Sequence, residues 1–190
     1  MSTRWGIAGT GTIANRFAEA LAQVDDATLA AVGSRSAERA AEFASRFGST
    51  TAHASYESLA DDPDVDVVYV ATPHSRHLLD TLLFLQADKH VLCEKPLALS
   101  GGQGRRMVDA ARARGLFLME AMWSRFLPTY RTLVEVLEQG RIGEPLLVEA
   151  DFGFGRPVAP EHRLFDLSLG GGGLLDLGIY PVQLCSLVLG

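Results

Sequence analysis

Trp5-Gly6-Ile7-Ala8-Gly9-Thr10-Gly11-Thr12-Ile13-Ala14 is the stretch on which the fold turns. Trp5 to Ala8 is a short strand-like run, and Ile13, Phe17, Leu21 and Val24 then recur at helical spacing. Between them lies the pattern Gly9-x-Gly11-x-x-Ala14. Its first glycine permits a tight turn, its second lets backbone approach a pyrophosphate, and a third small residue lets helix pack close to strand. The helix start adds free N–H groups and a positive dipole end. Strand, loop and helix in that order turn a weak pattern into a dinucleotide fingerprint, with Gly9, Gly11, Thr12 and Ile13 as its contacts.

The same rhythm continues outward. Thr28 to Val32, Val65 to Ala71, His90 to Cys93 and Phe117 to Met119 read as strands. Ala37 to Phe47, His77 to Gln86 and Gln103 to Arg114 read as helices, and the segment holding Tyr56 and Leu59 as a loop. Val65 to Ala71 is β-branched and apolar on both faces, as a buried parallel strand should be. Alternating strands and helices predict an α/β fold, a doubly wound parallel sheet of Rossmann type over residues 1–122. The rhythm then changes. Phe126 to Gln139 reads as a helix, Leu146 to Phe154 as a longer strand, and the stretch after Gly170 to Gly173 as an apolar helix reaching Leu189. Residues 123–190 are therefore expected to begin a second α/β domain, one with a mainly antiparallel open sheet. One strand and two helices cannot close such a core, so the chain is expected to stop inside that domain.

Composition narrows the chemistry. The chain has 190 residues, 47% of them hydrophobic, and a net charge of -6. That acidic balance argues against a nucleic-acid partner. No apolar run is read as reaching the ~18 residues that span a bilayer, and Met1 to Trp5 carries no signal-peptide pattern. Cys93 and Cys185 are isolated, so free thiols and a cytoplasmic location are expected. His74 and His77 lack the neighbouring cysteines or carboxylates of a metal site, and no metal is expected. The dinucleotide is read from the end of the second strand. NAD sites usually place an acid about 20 residues after the loop, whereas this chain has Gly33-Ser34-Arg35-Ser36. A serine hydroxyl and the guanidiniums of Arg35 and Arg39 suit a 2′-phosphate, which favours NADP(H) over NAD(H).

Two further stretches carry the reaction. Glu94-Lys95-Pro96 follows a buried strand at its carboxyl end, where open α/β sheets bind ligands. Lys95 there can hydrogen-bond a ribose or substrate oxygen, Glu94 can pair with it or touch the cofactor, and Pro96 can fix the turn through a cis bond. Asp176-Leu177-Gly178-Ile179-Tyr180 sets an acid and a phenol four apart, on one face of a helix. That helix is apolar nearly all round and is expected to be buried, with Pro181 bending it or delaying its start.

These landmarks, with Ala71-Thr72-Pro73, His77 and Gly171 to Tyr180, resemble the glucose–fructose oxidoreductase/inositol dehydrogenase superfamily. Glu120 to Phe126 resembles its branch of dihydrodiol dehydrogenases and NADP-dependent D-xylose dehydrogenases. His74 stands where asparagine is common. The resemblance implies a Rossmann domain, a second domain that covers the active site, and a homodimer contact. It implies Tyr180 as general acid/base, with Lys95 and Asp176 tuning and positioning it. It also implies that Thr72, Pro73, His77 and Glu94 line the cofactor cleft and that Trp123 sits near the nicotinamide end. The expected activity is hydride transfer between NADP(H) and a sugar, polyol or cyclic diol, whose pocket is expected around Phe152 to Arg156 and Arg163. A non-catalytic NADP sensor and an NAD-assisted glycosidase are the alternatives. The intact Lys95, Asp176 and Tyr180 weigh against the first, and Ser34-Arg35 against the second.

Overall fold

Six strands form the sheet: β1 (Thr3–Ala8), β2 (Ala27–Gly33), β3 (Thr51–His53), β4 (Val67–Val70), β5 (His90–Glu94) and β6 (Leu118–Ala121). In this computed structural model, which describes residues 2–49, 51–155, 159 and 162–190, every pairing is parallel and the order is β3-β2-β1-β4-β5-β6. That order reverses between β1 and β4, the point where open α/β sheets hold ligands at their carboxyl edge. The chain divides into two compact units, Met1–Ala121 and Met122–Gly190.

In the first unit the helices α1 (Thr12–Leu21), α2 (Ala37–Phe47), α3 (Tyr56–Ala60), α4 (His77–Gln86) and α5 (Gly101–Arg114) alternate with the strands. Ser36, Ser55 and Ser100 cap α2, α3 and α5 by accepting from a backbone N–H three residues on. Gly48 ends α2 at a φ of 71°, a left-handed conformation that costs glycine least. Two apolar layers form the core. Leu59, Val68, Phe84, Leu85, Val91 and Met107 make one, and Ile7, Ala14, Ala18, Val32, Phe43 and Tyr69 the other. Phe17 stacks on Tyr69 with ring centroids 3.8 Å apart. Cys93 is fully buried and burial pushes its thiol up to about 12, which keeps it protonated.

Residues 51–60 depart from the expected loop. β3 pairs with Ala31 to Gly33, and α3 turns Tyr56, Leu59 and Ala60 into the core. Both elements are too short to show a period of their own.

The second unit holds a 3₁₀ turn at Trp123–Phe126, α6 (Pro128–Glu138), a 3₁₀ turn at Leu167–Leu169, a π-helical segment at Leu174–Gly178, and α7 (Ile179–Leu189). The strand expected over Leu146 to Phe154 is not formed. A strand needs a ladder partner, and this unit has no other strand among its described residues. The burial expected of the last helix is not seen either. Val182 and Leu189 are more than half exposed, and α7 buries no residue completely, there being no sheet among the unit's described residues to pack it against. Pro181 stands third in α7, where its missing N–H is tolerated, and the π-helical segment lies directly before it.

The stretch Leu167–Leu189 is also more apolar than the sequence reading allowed. By length and composition alone it could cross a membrane, with a hydropathy of 1.5. Gly170 and Gly172, at φ of 79° and 118°, interrupt it, and Asp176 is buried within it.

Candidate active site

The glycine loop sits at the carboxyl end of β1. Gly9 has a φ of 107°, and a Cβ there would lie 2.9 Å from the Ala71 carbonyl oxygen. Only glycine fits that turn. Gly11 is different. It caps α1 with ordinary backbone angles, and beyond its two chain neighbours no atom of the described residues lies within 4 Å of where its Cβ would be. Nothing in the chain therefore demands a glycine at that position. No side chain caps α1, so its first N–H groups, at Thr12 and Ile13, remain available to an anion. Both residues are exposed. Across the switch point, the Thr72 hydroxyl is buried with no hydrogen-bond partner among the described residues. A helix end without a cap, an open position at Gly11 and an orphan hydroxyl at Thr72 together fit a dinucleotide.

At the end of β2, Ser34 is buried and its hydroxyl accepts from the Ser36 N–H at 3.3 Å. Arg35 and Arg39 are exposed. The Tyr56 phenol lies in the same neighbourhood. Burial raises that phenol's pKa and the nearby Asp80 carboxylate adds to the rise, while Arg35 and Arg76 oppose it. Arg76, which sequence reasoning overlooked, also donates to the buried Asp80 at 2.6 Å.

The Lys95 turn is pinned at three consecutive residues. The Lys95 N–H donates to Glu94 Oε2 at 3.1 Å, the Pro96 carbonyl lies 2.8 Å from His77 Nδ1, and the Leu97 N–H donates to Glu120 Oε1 at 2.7 Å. The Lys95-Pro96 bond is cis. Glu94, expected to serve Lys95 or the cofactor, also accepts from the Tyr69 hydroxyl. The second ring nitrogen of His77, Nε2, lies 2.9 Å from the Thr72 carbonyl. His77 is thus fully buried between the two loop backbones that follow β4 and β5, with a carbonyl oxygen beside each ring nitrogen, and the neutral ring, having one N–H, donates to one of them. Tyr69 and Glu120 join this assembly through strand order; Glu120 stands out in the sequence only as the start of the Glu120 to Phe126 motif, with no sign of this support.

Burial pushes the His77 imidazole below its usual pKa, against the two carbonyls that favour the proton. The unfolded chain binds that proton near pH 6.5 and the folded chain only at lower pH. Stability from this group is therefore fully present above about pH 6.5 and falls as pH drops below it. Thermal denaturation from pH 7.5 to 5 is expected to show a falling Tm whose slope flattens in His77→Gln. An equal slope in both proteins would contradict the assignment.

In the second unit, Tyr180 lies in the first turn of α7 and Asp176 in the π-helical segment. Asp176 is buried, and Arg163 donates to it at 3.3 Å. The Trp123 indole N–H donates to the Tyr180 oxygen at 2.9 Å. Phe152 meets the Tyr180 ring edge to face, with centroids 5.1 Å apart. Of the expected substrate pocket, Phe152 to Gly155 and Arg163 are described and Arg156 lies outside the described residues. Each unit thus assembles its own share of the sequence-derived residues: Gly9 to Ile13, Ser34, Thr72, His77 and Lys95 in the first, Trp123, Asp176 and Tyr180 in the second.

Comparison with known proteins places both units in one family. Residues 3–122 match the oxidoreductase family with NAD-binding Rossmann fold, and residues 130–190 match the GFO/IDH/MocA C-terminal domain. Trans-1,2-dihydrobenzene-1,2-diol dehydrogenase of Mus musculus is 47% identical over 192 residues, which is 100% of this chain and 57% of that protein. The chain thus spans a little over half the length of such curated relatives. A 3-ketoreductase from Actinomadura kijaniata, solved with NADP and TDP-benzene, superposes with a TM-score of 0.86 at 34% identity, over 100% of this chain and 58% of that one. An NAD-binding oxidoreductase from Klebsiella pneumoniae gives 0.87 at 28% identity, over 100% and 54%. With both halves matched in order, and the first match alone covering more than half of it, the chain belongs to the GFO/IDH/MocA oxidoreductase family.

Proposed function

We propose that this protein is an NADP(H)-dependent oxidoreductase that interconverts an alcohol and a carbonyl on a sugar, polyol or cyclic diol. The observation that carries the reading is the Lys95 turn. Three pinned residues hold it at the carboxyl edge of the sheet that also presents the glycine loop. Such rigidity is what a group acting on a reacting oxygen needs. The diol dehydrogenase relatives and the NADP-bound 3-ketoreductase support the cofactor and the substrate class.

Bound nicotinamide would supply the hydride chemistry. The chain would do the rest. The α1 N-terminus and the Gly9 to Ile13 loop hold the pyrophosphate, while Ser34, Arg35 and Arg39 hold the 2′-phosphate. Asp176 positions Tyr180 within the second unit, and Lys95 offers its ammonium to a ribose or substrate oxygen. In oxidation the alcohol proton passes to the Tyr180 oxygen as hydride leaves the carbinol carbon, and a carbonyl remains. Reduction runs the same transfers backwards.

Fluorescence titration of Trp5 and Trp123 with NADPH and NADH tests the cofactor half. NADPH is expected to bind at least about tenfold more tightly, and Arg35→Ala to remove most of that preference, as the loss of a charge-assisted phosphate contact should. Equal affinity for the two nucleotides in the unsubstituted protein would overturn the NADP assignment.

A further inference from the structure

The contact between Trp123 and Tyr180 has a fixed polarity. An indole nitrogen can only donate, so in the 2.9 Å bond between them the phenol oxygen accepts. One oxygen lone pair is then committed to Trp123, and the hydroxyl proton is directed away from the indole. Trp123 is well placed to impose this. It opens the Trp123–Phe126 turn beside the buried Ser124, and its ring lies edge-on to Tyr180 with centroids 6.0 Å apart. Phe152 packs on Tyr180 as well, at 5.1 Å. These two aromatic rings and the directional Trp123 hydrogen bond hold the phenol.

We propose that Trp123 is a positioning residue for proton transfer: its indole N–H orients the Tyr180 oxygen and favours the phenolate over the phenol. The inference rests on the reading of Tyr180 as proton carrier and adds a second group that acts on it. A hydrogen bond to an ionised oxygen is stronger than one to a neutral oxygen, so the contact tightens as the proton leaves. The indole thereby contributes to lowering the phenol's titration midpoint from within the second unit itself. The titratable and charged groups on the described elements around Tyr180 are Asp176, one turn earlier and paired with Arg163, Arg125 in the Trp123 turn, Asp151 beside Phe152, and Tyr130, Arg131, Glu135 and Glu138 on α6, which packs on α7. Trp123→Phe leaves all of these in place and deletes only the N–H donor and part of the ring.

The test titrates Tyr180 directly, by NMR of the protein labelled at the tyrosine Cζ carbons. The chain has four tyrosines, and Tyr180→Phe assigns the resonance. In Trp123→Phe the Tyr180 midpoint is expected to rise by about one pH unit, a tenfold change in phenolate fraction. Trp123 is 53% exposed, so water replaces part of the lost bond and keeps the shift near that size. Trp123→His, which restores an N–H donor, is expected to recover part of it. In the unsubstituted protein the Trp123 Nε1–H resonance should move with the same midpoint as Tyr180, a measurement that needs no change at Trp123. In the reductive direction, where Tyr180 gives up its proton, the alkaline limb of the kcat profile should shift along with the resonance.

An unmoved Tyr180 midpoint in folded Trp123→Phe overturns the proposal, as does an indole resonance insensitive to Tyr180 ionisation. The NMR readout needs no turnover, so the two readings can fail separately. A shifted midpoint without any NADP turnover supports the contact and removes the dehydrogenase reading. Turnover that depends on Tyr180 with an unmoved midpoint does the reverse.

Discussion

Tyr180→Phe is expected to lower kcat by about 10³-fold, within the range that a positioned acid/base contributes. NADPH affinity should stay within about twofold, because the substitution leaves the glycine loop, Ser34, Arg35 and Lys95 intact and removes one oxygen. The structural cost is expected to be small. The Tyr180 ring keeps its edge contacts with Trp123 and Phe152, and the lost partner, Trp123, is half exposed and can bond water. Steady-state turnover beside nucleotide titration checks both halves. A kcat within about tenfold of the unsubstituted protein would assign the proton to another group.

The second large effect separates two glycines that look equivalent in the sequence. Gly9→Ala places a methyl 2.9 Å from the Ala71 carbonyl at a φ of 107°, so the loop must shift. It is expected to cost about 1–3 kcal/mol of stability and to abolish measurable NADPH binding. Gly11→Ala meets no atom of the described residues within 4 Å beyond its two chain neighbours and sits at ordinary angles, so its Tm should be unchanged. Its NADPH affinity should nevertheless fall by about tenfold or more, because a pyrophosphate would occupy the space that the methyl takes. Thermal melts and fluorescence titration of both variants decide the matter. Full NADPH affinity in Gly11→Ala would show that the open position at the start of α1 is not the phosphate site.

Much of the first unit could be read from the chain because its signals are local. Ala37 to Phe47 and His77 to Gln86 carry whole helical periods between clear boundaries, and the observed helices coincide with them. β4 is the β-branched run Val67 to Val70, buried on both faces as the pattern required. Thr51 to Ala60 was not legible as structure because a three-residue edge strand and a five-residue helix contain too little repeat. In the second unit the pattern misled. Leu146 to Phe154 has the composition of a strand, but strandedness depends on a partner that its own residues cannot specify.

The candidate site is legible in the sequence where a side chain type suggests a chemistry: the Gly9 turn is formed as expected, and Lys95, Asp176 and Tyr180 carry the proposed roles. It was not legible where side chains serve the backbone. His77 reads as a cleft residue, and the structure shows it fully buried between the Thr72 and Pro96 carbonyls. Glu120 and Tyr69 support the Lys95 turn from neighbouring strands, and Arg163 partners Asp176 from 13 residues away. These contacts follow from strand order and loop paths, which spacing along the chain does not encode.

The most direct test of the account is hydride transfer itself. The protein is mixed with NADP⁺ and a trans-diol or aldose carrying deuterium on the carbinol carbon, and the nicotinamide product is analysed by mass spectrometry. The account predicts reduced NADP with one deuterium, a markedly smaller yield with NAD⁺, and almost none from Tyr180→Phe. Reduction without deuterium in the nicotinamide, or none with any alcohol in protein that binds NADPH tightly, would contradict it.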